Sequence, residues 1–216
     1  MTDRRILMLI AMALAGFLAN GQCRCDDAPL GAAVIRGPAG GSEIVITTTV
    51  RLAGAIHSLT WAGKEFIDST DHGRQLQSAS SFDCARSGEF WAECFNPTEA
   101  GARRDGAGDR STSRLRQLCV GPAELRTTTQ MAFWLAPGEA SSGRPALNTT
   151  PLSNHWLSKR VRIGYQNLPE VIDYEVTFTT PQDEHHTHAQ FEALTGYLPA
   201  EFSRFWSLPT PPGLLE

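Results

Sequence analysis

Apolar and polar residues alternate along several stretches of this 216-residue chain. In 171–179, large apolar side chains alternate with Asp, Glu and Thr, and 43–52 has a similar period of two. This period puts alternate side chains on opposite faces of a strand, with one face in the core and the other in solvent. The same pattern, read with the turn residues between the segments, predicts further strands over 55–61, 65–67, 127–135 and 161–165.

No segment between Gly31 and Pro181 is suited to a helix of three clean turns, and the chain contains 19 Gly and 13 Pro. We therefore expect an all-β protein, an antiparallel sandwich of two packed sheets. Three segments without alternation, 68–83, 94–113 and 137–156, are expected to be long loops. Loops of that length in a compact domain are often functional.

The N-terminus has the pattern of an export signal. Two arginines precede an apolar run from Ile6 to Ala19, which is too short to span a bilayer, and small residues follow it. The sequence predicts a signal peptide at 1–21, a flexible mature N-terminus at 22–32 and one sandwich domain at 33–216. We expect a secreted or periplasmic protein with no membrane association after cleavage.

The amino-acid composition limits the classes of molecule that the chain is expected to bind. Hydrophobic residues make up 41% of the chain and charged residues 19%, which is typical of a globular protein. The 19 basic and 23 acidic residues give a net charge of −4, so the chain lacks the basic excess that nucleic acid binding needs. The sequence does not indicate an oligomeric state.

The chain has five cysteines, an odd number, so at least one stays unpaired within the chain. Export into an oxidising compartment favours disulfides among the others. We favour a bond between Cys84 and Cys94, which flank a short segment with a glycine turn, and we keep Cys94 with Cys119 as the alternative. Zinc binding by cysteines is less favoured because no C-x-x-C motif is present.

Several polar segments suit ligand binding. Segment 68–77 combines carboxylates, an imidazole, a guanidinium and amides, although caps and ion pairs of an ordinary loop would use the same groups. Segment 91–101 places aromatic rings beside acceptors, as in a sugar subsite, although turns and core packing also explain it. Segment 127–135 would place one face along a groove and the other in the core. The candidate substrate-binding residues are Asp71, His72, Gln75, Trp91, Asn96, Gln130, Trp134, Asn154 and His155.

Segment 184–192 contains three of the six histidines. In a strand His186 and His188 share a face, and in a helix His188 and Glu192 are four residues apart. Either spacing suits a metal ion or an acid–base pair. Because spacing fixes no third ligand, we favour acid–base chemistry and expect no metal or other cofactor. The candidate catalytic residues are Arg74, Glu99, His186, His188 and Glu192.

The segment Arg51–Ile67, with its Gly-Ala-Ile step and its Gly-Lys-Glu tripeptide, resembles the opening hairpin of galactose mutarotase-like β-sandwich domains. That superfamily includes sugar epimerases and domains of glycoside hydrolases and polysaccharide lyases. The resemblance implies an acid histidine and a base glutamate on a concave sheet face, for which His186 or His188 and Glu192 have suitable chemistry. Such domains usually exceed 216 residues, so whether the domain is complete stays open.

These observations predict an exported protein that recognises an extracellular polysaccharide. As an enzyme it would be a glycoside hydrolase, with its carboxyls among Glu93, Glu99 and Glu192, or a polysaccharide lyase, with His188 as base and Arg74 neutralising a uronate. The alternative is a non-catalytic carbohydrate-binding or adhesion module. A pocket that gathers Arg74, Glu99 and His188 within about 10 Å would favour the enzyme.

Overall fold

The computed structural model describes residues 23–27, 29–70, 75–83 and 91–204, and these form strands and short 3₁₀ helices without an α-helix. The predicted signal peptide at 1–21 lies outside the described residues, as do the site candidates Asp71, His72 and Arg74. The strands are β1 Arg24–Asp26, β2 Ala33–Ala39, β3 Ser42–Thr48, β4 Ile56–Trp61, β5 Lys64–Glu65, β6 Gln77–Phe82, β7 Pro97–Thr98, β8 Arg114–Val120, β9 Glu124–Phe133, β10 Ala140–Ser141, β11 Arg144–Pro145, β12 Leu152–Tyr165, β13 Leu168–Thr179 and β14 Ala189–Thr195.

The strands form antiparallel sheets that pack as a sandwich, which confirms the predicted fold class. The large sheet has the order β1-β8-β9-β7-β6-β14, and β12 pairs with β9 and then with β13. The smaller sheet has the order β2-β3-β4-β5, and β10 and β11 form a separate hairpin. The long β12–β13 hairpin is the largest single pairing, running from Trp156 opposite Thr179 to Tyr165 opposite Leu168.

The main apolar core lies where the small sheet packs on β9 and β12. Gly37 of β2 comes so close to β12 that a Cβ there would lie 2.3 Å from the Cγ2 of Ile163. Only glycine fits such a contact between sheets. The buried core residues of this cluster are Ile35, Ala39, Ile44, Ile46, Ile56, Leu125, Val161 and Ile163.

Parts of the three predicted loops are strands instead. β6 lies within 68–83, and all six of its residues are buried, so it shows no alternation in burial. Its sequence, QSASSF, is small and polar, and the side chains of Gln77, Ser78 and Ser81 form hydrogen bonds inside the protein, so no apolar face marks the strand. β7 lies within 94–113, and β10, β11 and the start of β12 lie within 137–156.

Among the described residues a disulfide joins Cys25 to Cys119, so the alternative pairing of Cys94 with Cys119 was wrong. Cys94 is free and buried, whereas Cys84 lies outside the described residues. The segment 22–32, predicted to be flexible, contains β1, whose Cys25 lies opposite Cys119 of β8. No sign of the Cys25–Cys119 bond was found in the sequence, because this segment was interpreted as a tail and a three-residue strand is too short to show a period.

Among the described residues, no helix is long and apolar enough to cross a membrane.

Candidate functional site

Two candidate histidines from distant parts of the chain meet at one carboxylate. His155 lies on the buried face of β12, and His186 lies in the loop between β13 and β14. The Oε2 of Glu184, from the same loop, lies 2.7 Å from the Nε2 of His155 and 3.0 Å from the Nε2 of His186. We term His155, Glu184 and His186 the histidine cluster.

Asp83 holds His186 from the other side of the ring. Its Oδ2 lies 2.7 Å from the Nδ1 of His186. Its Oδ1 accepts hydrogen bonds from the amides of Thr187 and His188 and from the Thr187 hydroxyl. Asp83 has a φ of 42°, in the left-handed region that residues other than glycine rarely adopt. Its hydrogen bonds stabilise this strained turn after β6 and fix the loop that carries His186.

Aromatic rings surround the histidine cluster. The ring centroid of Phe82 lies 4.9 Å from that of His155 and 4.4 Å from that of His186. Phe95 lies 6.0 Å and 5.6 Å from the same two rings. His155 is 1% exposed, whereas the side chains of Glu184 and His186 are 28% and 17% exposed. The cluster therefore has an apolar inner wall and reaches solvent on the side of the loop.

Burial and hydrogen bonding shift two pKa values here. Burial alone would raise the pKa of Asp83, but hydrogen bonds from the His188 amide, the His186 ring and Thr187 outweigh it and lower this pKa to about 2. Burial lowers the pKa of His155 by more than the hydrogen bond and charge of Glu184 raise it. At neutral pH Asp83 is ionised and His155 is a neutral imidazole.

We expect part of the free energy of unfolding to be lost as the pH falls from about 4 towards 2. The pKa of Asp83 is about 2 in the folded protein and about 3.8 ordinarily, so between these values the unfolded chain binds the proton first. The stabilisation is complete above the ordinary value and disappears as the pH falls through the folded value. Denaturant unfolding between about pH 5 and pH 2 measures the loss. Asp83→Asn should flatten this dependence, and an unchanged slope in the variant would contradict the assignment.

Glu99, a catalytic candidate, lies in the interior. Its side chain and that of Lys159 on β12 are both fully buried and form an ion pair. The second carboxylate oxygen of Glu99 accepts a hydrogen bond from the Ser78 amide at 3.1 Å, and Lys159 donates to the Gly54 carbonyl at 2.7 Å. These contacts give Glu99 a structural role between β6 and β12.

Several binding candidates are also engaged within the protein. Asn96 is buried, and its Nδ2 donates to the Ser80 carbonyl and the Ser81 hydroxyl. The guanidinium of Arg144 lies over the ring of Trp91, 5.2 Å from its centroid. Gln75 is fully buried, and Trp134 is half-buried with its amide bonded to the Asn96 carbonyl.

Three further candidates lie at or near the protein surface. His188 and Asn154 are exposed, and Glu192 is half-buried on β14, opposite Ala79 of β6. Of the three groups expected to gather in one pocket, Glu99 is buried, His188 is exposed and Arg74 lies outside the described residues. Of the candidates that lie in the described ranges, the histidine cluster brings together His155 and His186.

Sequence reasoning did not assign Asp83 and Glu184 to a site. Glu184 could have been found, because it lies beside the histidines that had been singled out. The sequence around Asp83 does not indicate a site, because Asp83 meets the loop that contains His186 only when β6 pairs with β14.

A second polar region lies on the outer face of the large sheet. A groove of about 470 Å³ crosses β8, β9, β12 and β13, and we term it the outer-sheet groove. Its centre is a row in which Thr128 lies opposite both Gln117 and Ser158, and Ser158 lies opposite Thr177. The lining residues of this face are Gln117, Arg126, Thr128, Ser158, Arg160, Glu175 and Thr177, and Thr127 and Lys159, whose side chains are buried, also border the groove.

Trp156 lies on the same sheet face, one row from the centre of the outer-sheet groove. It is half-buried and lies opposite the candidate Gln130 on β9. Arg116 connects the two, because its guanidinium lies 5.8 Å from the indole centroid and donates to the Gln130 Oε1 at 2.7 Å. Gln130 is itself fixed by a hydrogen bond from its Nε2 to the Ser153 carbonyl. The indole ring of Trp156 therefore borders the groove, and the hydrogen-bonded side chains of Arg116 and Gln130 lie beside it.

The histidine cluster and the outer-sheet groove are the features from which we infer a function. Comparisons of the chain with protein-family models, with curated proteins and with solved structures found no match.

Proposed function

We propose that this protein is an exported carbohydrate-binding protein and that the outer-sheet groove binds a polysaccharide chain. The observation that carries the proposal is the row of hydroxyl and amide side chains across four strands, beside Trp156. Sugars offer hydroxyls that both donate and accept hydrogen bonds, and Thr, Ser and Gln can do both in return.

The shape of the groove favours an elongated ligand. Neighbouring strands lie about 4.8 Å apart, so a row across four strands extends for about 14 Å. The groove is an open depression on a sheet face, which suits a chain that continues past the site at both ends. Trp156 adds an apolar ring, and an indole gives a large contact area with little loss of side-chain entropy.

The composition of the groove favours binding over hydrolysis at this location. Glycoside hydrolysis needs two carboxyl groups on either side of the scissile bond. Among the described residues that line the groove, Glu175 is the only carboxylate, and its Oε2 accepts a hydrogen bond from Arg160 at 2.6 Å. We therefore favour a non-catalytic carbohydrate-binding module over a glycoside hydrolase for this surface.

Export is part of the proposal. The apolar run from Ile6 to Ala19 is typical of a signal peptide, and the Cys25–Cys119 disulfide suits an oxidising compartment.

We expect Trp156→Ala to weaken polysaccharide binding by about tenfold, because the loss of one stacking face costs about 1.4 kcal/mol. The purified protein is first tested against neutral and uronic acid polysaccharides by affinity electrophoresis, and the best ligand is then used in calorimetry. Trp61→Ala is the matched control, since Trp61 is 42% exposed but belongs to β4 of the other sheet.

Binding that is lost equally in both tryptophan variants, or in neither, would contradict the groove as the site. The same polysaccharides are incubated with the protein while reducing ends and the absorbance of unsaturated products are followed separately. Binding without either product supports a module, and release of a product would replace the module with a hydrolase or a lyase.

A further inference from the structure

We propose that the histidine cluster binds one divalent transition-metal ion of the zinc class through His155, Glu184 and His186, with Asp83 as the residue that orients His186. The site is independent of the proposed carbohydrate surface. His155 lies on the buried face of β12, whereas the neighbouring Trp156 and Ser158 belong to the face with the outer-sheet groove.

The first argument is convergence. One ligand atom from each of the three residues lies within 4.8 Å of the others. Zinc–nitrogen and zinc–oxygen distances of about 2.0–2.2 Å place two ligands of a tetrahedral ion about 3.4 Å apart, so the ligand atoms would shift by roughly 1 Å to hold the metal. His155 comes from a strand and the other two from a loop that Asp83 anchors, so the folded chain assembles the site from separated segments.

The second argument concerns protons. His186 has a carboxylate oxygen at each ring nitrogen, Asp83 Oδ2 at Nδ1 and Glu184 Oε2 at Nε2. In its neutral form the ring has one N–H, so it can satisfy only one of them and the other nitrogen turns its lone pair towards an anion, whereas an imidazolium would satisfy both. A metal ion at Nε2 removes this conflict, because His186 then donates Nδ1–H to Asp83 and offers its Nε2 lone pair to the metal. A carboxylate behind a histidine ligand is a common arrangement in metal sites.

The third argument concerns charge. Asp83 and Glu184 contribute two carboxylates within a region whose inner wall is aromatic. Within the described ranges neither carboxylate forms an ion pair with a lysine or an arginine, and their ionic contacts are to histidines alone. The charge of Asp83 is already stabilised by its hydrogen bonds, whereas the contacts of Glu184 are to the two imidazole rings, and a divalent cation would compensate its charge.

The ligand set identifies the class of metal. Two imidazole nitrogens and one carboxylate oxygen suit zinc and its neighbours in the first transition row, whereas calcium and magnesium prefer oxygen ligands alone. Three protein ligands leave at least one coordination position for water or a substrate, as in catalytic zinc sites. The partial exposure of Glu184 and His186 gives that position a route to solvent.

The test uses the untagged, chelator-treated protein titrated with Zn²⁺ by calorimetry and with Co²⁺ by visible absorption. We expect one ion per chain, and with Co²⁺ the d–d bands of a site with nitrogen ligands. His186→Ala should weaken Zn²⁺ binding by more than about 100-fold, and Asp83→Asn by about 10-fold to 100-fold, because its loss leaves the His186 ligand without its partner.

His185→Ala is the matched control, since His185 lies in the same loop but is exposed and outside the histidine cluster. It should leave the affinity unchanged. Glu184→Gln is a second ligand variant, and far-ultraviolet circular dichroism shows whether each variant is folded. Equal affinities in the His186→Ala, Glu184→Gln and unmodified proteins, or no binding by the folded unmodified protein, would overturn the proposal. Neither result bears on carbohydrate binding, which Trp156→Ala tests separately.

Discussion

The substitution Glu99→Ala is expected to lower the free energy of unfolding by about 3–5 kcal/mol, because it leaves the ammonium group of Lys159 buried without a counter-ion. Both side chains are fully buried, so water cannot take the place of the lost carboxylate. The Ser78 amide loses its acceptor as well. For a chain of this size the melting temperature should fall by about 10 °C. Urea unfolding followed by circular dichroism measures the change.

A surface ion pair is the matched control. Glu175→Ala removes the partner of Arg160 from a site where the glutamate side chain is 62% exposed, and it should cost less than about 1 kcal/mol. An equal loss in the two variants would contradict a special role for the buried pair. The double variant Glu99→Leu with Lys159→Met should recover much of the lost stability, since it removes both charges together. Recovery stays incomplete because Ser78 and Gly54 still lack their hydrogen-bond partners.

The Glu99–Lys159 pair also explains why sequence reasoning found only the end of β12. Along the buried face of this strand, Ser153, His155 and Lys159 alternate with exposed or half-buried residues, so the burial period is two. Their side chains are polar, however, and a hydrophobicity pattern detects alternation only where the buried side is apolar. The pattern therefore predicted 161–165, where Val161 and Ile163 reach the apolar core, assigned 152–156 to a loop and left 157–160 without an assignment.

The strands with one apolar face were predicted well. The pattern over 171–179 falls within β13, and on the face of the predicted strand 127–135 that was expected in the core, Met131 and Phe133 are buried in β9. β6 was missed for a different reason, because all of its side chains are buried and most are small or polar. A strand buried on both sides has no solvent face and therefore no period to recognise.

The site could be predicted only in part, since its geometry depends on long-range pairing. The histidines at 155 and 186 were each singled out by residue type, but nothing in the local sequence says that they share a carboxylate. That contact requires β12 to pair with β13 in the observed register and the loop after β13 to return towards β6. The same holds for the outer-sheet groove, which needs four strands in register before Thr128 and Ser158 become neighbours.

Loss of the Cys25–Cys119 disulfide is expected to have the second large effect on stability. We expect Cys25→Ser combined with Cys119→Ala to lower the free energy of unfolding by about 2–4 kcal/mol, with a similar effect on adding a reductant to the unmodified protein. The two cysteines are separated by 94 positions in sequence, so the bond closes a long loop in the unfolded chain and restricts its conformational entropy. In the folded protein it joins β1 to β8 at the edge of the large sheet.

The pairing itself can be read from peptides, because the arginines of this chain separate the cysteines. Tryptic cleavage after Arg24 and Arg116 places Cys25 in peptide 25–36 and Cys119 in peptide 117–126, and each peptide contains one cysteine. Without reduction, mass spectrometry should find these two peptides linked. Cys23→Ser is the control for stability, since Cys23 is free and half-buried, and its substitution should cost far less than the double variant. A link from Cys94 to Cys25 or to Cys119 would contradict the Cys25–Cys119 bond. A double variant as stable as Cys23→Ser would contradict the role of the bond in anchoring β1, since an edge strand of three residues adds few contacts of its own.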